Sequence, residues 1–216
     1  MLALLHTSPV HVPVFDALRD ELRPGLELRH FVDAELLERA RVDGPAAVAD
    51  DVRARVSEAV GGGAGAVLCT CSTIGGMAEA AAARSGVPVL RVDRPMAAEA
   101  VAAGSRVVVL AALESTLAPT VALVEEEADR AGRPVDVRTV LVEGAWARFE
   151  ADDTAGYVRR VADAADAVTG ADVIVLAQAS MAPAGPLTTA RVPVLSSPRP
   201  GLLAAARRCA EALGEV

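Results

Sequence analysis

The run Leu68-Cys69-Thr70-Cys71-Ser72-Thr73-Ile74-Gly75-Gly76 joins an aliphatic stretch to small polar residues and glycines, and an alanine-rich stretch of helical pattern follows it. A strand that ends this way just before a helix leaves backbone N–H groups unpaired, and with the nearby hydroxyls they suit a carboxylate. A thiol at the same place has its thiolate favoured by the helix dipole, which makes Cys71 a candidate base or nucleophile. The competing reading is a buried structural cysteine, because this residue type behaves as a small hydrophobe. Cys69, inside the strand, reads as core.

Other reactive or hydrogen-bonding residues fall at matching places. His6, Thr7 and Ser8 close the first aliphatic run, and Glu114, Ser115 and Thr116 follow a later one. His6 is a candidate partner for Cys71, weighed against a histidine that only satisfies a backbone carbonyl at a strand end. Glu114 is weighed against an ordinary solvated loop carboxylate. Ser8, Ser72, Thr73, Ser115, Thr116 and Ser180 read as substrate hydrogen-bonders or as helix caps. Gly61-Gly62-Gly63-Ala64-Gly65 precedes a strand, whereas a dinucleotide fingerprint follows one, so it reads as a helix stop. Cys69-x-Cys71 lacks a partnering pair, and His6, His11 and His30 lack a ligand spacing, so no metal site is expected.

These residues need strands to carry them. Short aliphatic runs (Leu2 to Leu5, Leu26 to Val32, Ala66 to Cys71, Val87 to Val92) alternate with amphipathic alanine- and arginine-rich stretches, the pattern of βα units. A second set follows at Val107 to Leu110, Val135 to Val142, Val173 to Leu176 and Val192 to Leu195, with a helical pattern over Ala151 to Ala167. Unbroken aliphatic runs suit parallel strands covered on both faces. The halves repeat: Val87-Pro88-Val89-Leu90 recurs as Val192-Pro193-Val194-Leu195, and Arg94-Pro95 as Arg199-Pro200. In the same register Cys71 falls opposite Gln178. Two similar α/β lobes are expected, with a ligand cleft between them at the carboxyl ends of the strands.

Composition narrows the chemistry. The chain has 216 residues, 52% hydrophobic and 23% charged, with a net charge of −8, so it reads as folded and as a poor partner for nucleic acid. All 21 basic residues are arginines, which removes Schiff-base, pyridoxal phosphate and Walker A chemistry. The aromatic residues are Phe15, Phe31, Trp146, Phe149 and Tyr157, too few for base stacking. Trp146 with Phe149 is expected to lid the cleft or to pack the second lobe, and Glu125-Glu126-Glu127 to be a solvated helix face. Cys69, Cys71 and Cys209 are an odd, sparse set that suits a reducing compartment, and the apolar start breaks at His6, Ser8 and Pro9 without a basic leader. The expectation is a cytoplasmic protein without a membrane partner.

Thr70-Cys71-Ser72-Thr73 resembles the first-lobe cysteine motif of the aspartate/glutamate/hydantoin racemase superfamily. Leu176-Ala177-Gln178-Ala179-Ser180-Met181 is similar to the hydantoin racemase segment Leu-Gly-Cys-Ala-Gly-Met, with Gln178 where the second cysteine belongs. Ala111 to Leu117 resembles the first strand-to-helix loop of the second lobe, so the likeness covers nearly the whole chain. It implies two pseudo-symmetric flavodoxin-like α/β lobes, residues 1–96 joined by a C-terminal helix 201–216, and residues 97–200. It also implies a small carboxylate or carbonyl acid as substrate, no cofactor, and a homodimer as one assembly.

The chemistry so implied is proton transfer at the carbon next to a carboxylate, between two opposed thiols. A glutamine amide is neither acid nor base near neutral pH, so two-cysteine racemisation is in doubt here. Cys71 is then the central catalytic residue, with His6 a stand-in for the missing acid and Gln178 orienting a substrate oxygen. Thr7, Ser8, Ser72, Thr73, Glu114, Ser115, Thr116, Ala179 and Ser180 form the expected binding set. Within the superfamily, arylmalonate decarboxylases work with one second-lobe cysteine and maleate isomerases with a first-lobe nucleophile. Decarboxylation, cis-trans isomerisation and a catalytically silent anion binder therefore remain open.

Overall fold

The computed structural model describes residues 1–214; of the expected helix 201–216, the last two positions lie outside the described residues. The first strands are β1 (Leu2–His6), β2 (Leu28–Val32), β3 (Ala66–Cys69) and β4 (Val89–Arg91). They form a parallel sheet in the order β2-β1-β3-β4. The helices among them are α1 (His11–Leu22), α2 (Glu35–Asp43), α3 (Ala49–Gly61) and α4 (Gly75–Ser85). After α5 (Arg94–Ala103) come β5 (Arg106–Ala111), α6 (Leu117–Ala131), β6 (Asp136–Leu141), α7 (Ala145–Glu150), α8 (Thr154–Asp166), β7 (Val173–Leu176) and β8 (Val194–Ser196). Their sheet, also parallel, runs β6-β5-β7-β8, the same topology repeated. The chain ends in α9 (Pro198–Leu213).

Two compact units result, Met1–Asp93 with the chain from Pro198 onward, and Arg94–Ser197. Thus α5 follows the last strand of the first unit but belongs to the second, and α9 does the reverse.

Alternation along the buried strands sorts each core into two layers. In the first unit Ala3, Leu5, Val67 and Cys69 face residues of α2, α3 and α4, such as Leu36, Val52 and Ala78. Leu2, Leu4, Ala66 and Leu68 face the other way, against Phe15 of α1 and Leu202, Ala205 and Cys209 of α9. The second unit divides likewise, Val108, Leu110, Ile174 and Leu176 meeting α8 and Val107, Val109, Val173 and Val175 meeting α5 and α6. Full burial of each such leucine, isoleucine or valine is worth about 1.5–3 kcal/mol. The edge strands β2 and β6 are correspondingly half-exposed and carry charged residues on their open faces.

Local signals set the helices. Asp153 caps α8 by accepting from the Gly156 N–H, and Tyr157, Val158, Val161, Ala162 and Ala165 form its single buried stripe. The first turn of α9 lies against β4: a Cβ on Gly201 would come within 2.4 Å of the Val92 carbonyl oxygen, so only glycine fits there. Among the described residues, no helix is long and apolar enough to cross a membrane.

Candidate functional site

In the first unit all strands run the same way, so the segments after β1 and β3 emerge at one edge. Leu5 pairs with Cys69 in register, and two residues further on Thr7 and Cys71 meet. Hydrogen-bond donors that favour the Cys71 anion come from the Thr7 hydroxyl, from the Ile74 and Thr73 N–H groups and from the Thr73 hydroxyl. The last three belong to the start of α4, the arrangement expected from the motif. Burial is nonetheless the larger influence and raises the thiol above its ordinary range. Cys71 therefore rests as a thiol, not as the thiolate that the helix dipole alone suggested, with donors in place to hold the anion once it forms. Cys69 is fully buried, donates to the Cys71 carbonyl at 3.6 Å, and burial raises its thiol as well.

Ser72 and Thr73 are buried, so their side chains are part of the loop's own packing, whereas Ser8 is half-buried. Beneath the loop lies an ion pair that the sequence reading did not single out. Arg91 donates to both carboxylate oxygens of Asp93, Nε at 2.7 Å and Nη2 at 2.9 Å, and Nη2 also reaches the Ser72 carbonyl at 3.4 Å. Gly75 gives it room, since a Cβ there would stand 3.0 Å from the Arg91 side chain. The available signal was Arg91 and Asp93 at a spacing of two, where an otherwise aliphatic strand ends.

His6 is fully buried and is turned to Thr70, with Nδ1 2.7 Å from the Thr70 Oγ1. Its Nε2 lies 2.8 Å from Nδ1 of His30. Burial first, then the neighbouring His30 and His11, lower its pKa to about 3, so the ring is neutral. The histidine thus ties β1 to the residue that follows β3. Among the described residues no group of His, Cys, Asp and Glu is arranged to hold a metal ion.

In the second unit Leu110 pairs with Leu176 in register, and two residues on are Ala112 and Gln178. Gln178 Oε1 accepts from the N–H groups of Ala112 at 2.6 Å and Leu113 at 3.1 Å. The residue that stands in the Cys71 position therefore braces the loop that precedes the expected binding residues. Glu114 is exposed, Thr116 is buried, and the Ser115 hydroxyl is buried with no hydrogen-bond partner among the described residues. Ala179 is buried, while Ser180 is half-buried and bonded at 2.8 Å to the Tyr157 hydroxyl, which burial raises to about 12. Tyr157 continues into a stack with Phe149 and Trp146, at ring distances of 5.4 and 4.8 Å, which packs on the core of the second unit. Glu127 departs from the solvated face expected of it: it is buried between Arg94 and Arg130.

Two parallel α/β units of one topology, the first presenting a thiol cradled by hydroxyl and N–H donors after its third strand, define a class of doubled α/β proteins. The sequence profile described as Asp/Glu/Hydantoin racemase matches residues 11–210, and the chain belongs to that family. A glutamate racemase isoform from Bacillus anthracis superposes with a TM-score of 0.70 at 16% identity, over 96% of this chain and 80% of that one. Allantoin racemase from Klebsiella pneumoniae gives 0.62 at 17% identity, over 99% and 88%. Arylmalonate decarboxylase gives 0.60 at 19% identity, over 97% and 92%. At such identities the likeness is one of fold. A search of curated proteins found no sequence match.

Proposed function

We propose that this protein transfers a proton at the carbon next to the carboxylate or carbonyl of a small acid, without a cofactor, through the single thiol of Cys71. The observation that carries this reading is the cradle around its sulfur, from Thr7, Thr73 and Ile74, in a chain of the racemase family. Donors already in place for an anion lower the cost of forming the thiolate, and do so without reorganisation during the reaction. Gln178 cannot take or give a proton near neutral pH, and its oxygen is occupied by two backbone N–H groups. One thiol acting alone exchanges hydrogen on one face of the substrate carbon.

A second reading is favoured by the raised Cys71 pKa. A group that rests as a thiol is a donor before it is a base. Decarboxylation of a malonate-like acid leaves a carbanion that needs one proton, and a single donor completes that reaction.

Incubation with amino acids, hydantoins, maleate and arylmalonates in deuterated water, read by mass, optical rotation and carbon dioxide release, tests both. One-thiol proton transfer predicts one deuterium at the α-carbon with configuration retained, abolished in Cys71→Ala. Release of carbon dioxide with one deuterium in the product selects the second reading. Turnover that survives in Cys71→Ala, or no exchange and no turnover with any of these acids, overturns the assignment of Cys71.

A further inference from the structure

The three histidines of the chain are far apart in sequence and close together in the first unit. His6 ends β1, His30 lies on the edge strand β2, and His11 opens α1, its ring 6.2 Å from that of His6. Three contacts run in series: Thr70 Oγ1 to His6 Nδ1 at 2.7 Å, His6 Nε2 to His30 Nδ1 at 2.8 Å, and His30 Nε2 to Asp16 Oδ1 at 3.3 Å. The series crosses from core to solvent, for His6 is 0% exposed, the His30 side chain 16% and the Asp16 side chain 41%. The other groups facing it are His11 and Phe15 of α1, and Arg19 of α1, which shares the Asp16 carboxylate at 3.4 Å.

Counting protons shows what such a series can do. A hydroxyl has one hydrogen, a neutral imidazole one N–H, and a carboxylate none. With both rings neutral, one direction satisfies all three contacts: Thr70 donates to His6 Nδ1, His6 Nε2 to His30 Nδ1, and His30 Nε2 to Asp16. In the opposite direction His6 Nδ1 donates to Thr70 and His30 Nδ1 donates to His6 Nε2. His30 then needs a second proton to meet Asp16, and the Thr70 hydroxyl turns to the Leu5 carbonyl, 3.2 Å away. The two arrangements differ by one proton, and the structure holds an acceptor ready for each.

We propose that Thr70, His6, His30 and Asp16 form a proton relay between solvent and the strand end that carries Cys71. A proton delivered to the Thr70 oxygen by a thiol or carbon acid at that edge forms a new O–H bond as the old one breaks in favour of His6 Nδ1. His6 Nε2 passes its own proton to His30 Nδ1, and the series ends one charge more positive, as an imidazolium facing the Asp16 carboxylate. The reverse sequence returns the proton. His6 itself stays neutral at both ends of the process, in keeping with its pKa near 3. Service of the relay to turnover rests on the proposed chemistry of Cys71; the relay's own existence does not.

The test reads tautomers, not activity. Protein labelled with 15N in its imidazoles is followed by long-range proton–nitrogen spectra from pH 8.5 down to pH 5.5, with His11→Gln removing the third ring. His6 should carry its proton on Nε2 at high pH and on Nδ1 at low pH, switching in step with the appearance of the His30 imidazolium. Asp16→Asn should alter the switch, because the second proton of His30 then loses the carboxylate oxygen that it faces. Cys71→Ser should leave the switch in place, which separates this relay from the reading of Cys71. A His6 ring that keeps one tautomer while His30 titrates, or that becomes an imidazolium together with it, overturns the proposal.

Discussion

Gln178 and Ala112 are joined at 2.6 Å, carboxamide oxygen to backbone N–H, in the same register relation that joins Cys71 and Thr7 in the first unit. One topological position thus does two different things. Where the first unit places an ionisable sulfur among donors, the second places a neutral oxygen that cannot leave its donors without exposing two N–H groups of buried residues.

Replacing Gln178 by leucine should therefore loosen the loop that follows β5. The N–H groups of two buried residues lose their acceptor, at a cost of up to about 1–3 kcal/mol each. Urea denaturation should show the loss, and hydrogen exchange should accelerate at Ala112 and Leu113 more than in β5 itself. Unchanged exchange at those two amides would mean that the carboxamide does not hold the loop.

Cys71 should be alkylated before Cys69 and Cys209. It is half-buried, while the other two are 0% and 1% exposed. Because its pKa is raised, the rate at pH 7.5 should fall below that of a free thiol and should keep rising above pH 9. Peptide mapping after brief iodoacetamide treatment measures this, and faster labelling of Cys69 would overturn the description of the loop.

Acid should destabilise the first unit before its carboxylates titrate. His6 and His11 have folded pKa values of about 3 and about 4, each lowered chiefly by burial, against 6.5 as the ordinary value. Between about pH 6.5 and pH 4 the unfolded chain binds protons that the folded chain does not, so stability falls as pH falls. The slope approaches ~1.4 kcal/mol per pH unit for each histidine. Urea midpoints at pH 7.5, 6 and 5 give the slope, which His6→Asn should lower; a flat profile over this range would contradict the burial of His6.

Arg91→Met should be among the most damaging single changes in the first unit. It leaves the Asp93 carboxylate, 0% exposed, without the partner that binds both its oxygens. Breaking a buried pair from one side costs about 3–5 kcal/mol. Adding Asp93→Asn should recover part of the loss, since the amide needs no counter-charge. Equal stability of the single and double variants would show that the pair is not coupled.

Much of the fold is legible in the chain itself. The aliphatic runs mark the strands of the described residues to within a few positions: the central strands β1, β3, β5 and β7, covered on both faces, have no polar residue in their interior, while the edge strands β2 and β6 interleave charged residues with apolar ones. The recurrence of Val-Pro-Val-Leu and Arg-Pro sets the halves in register and places Gln178 opposite Cys71 in the repeat. Cys71 itself was visible because a strand end, hydroxyls and glycines are contiguous in sequence.

The tertiary structure decided what depends on residues that are distant in the chain. His6, His30 and Asp16 come from β1, β2 and α1, and no spacing announces their series, since it exists only once the parallel register of β1 with β2, which sets Leu4 beside His30 and His6 beside Val32, puts the two rings on one face of the sheet as diagonal neighbours. Glu127 reads as solvated from its neighbours Glu125 and Glu126, yet α5 packs against α6 and brings Arg94 over it. The charge state of Cys71 was equally out of reach. Sequence shows the helix start that favours the thiolate, whereas the density of atoms around the sulfur, which opposes it and prevails, is a property of the packed chain.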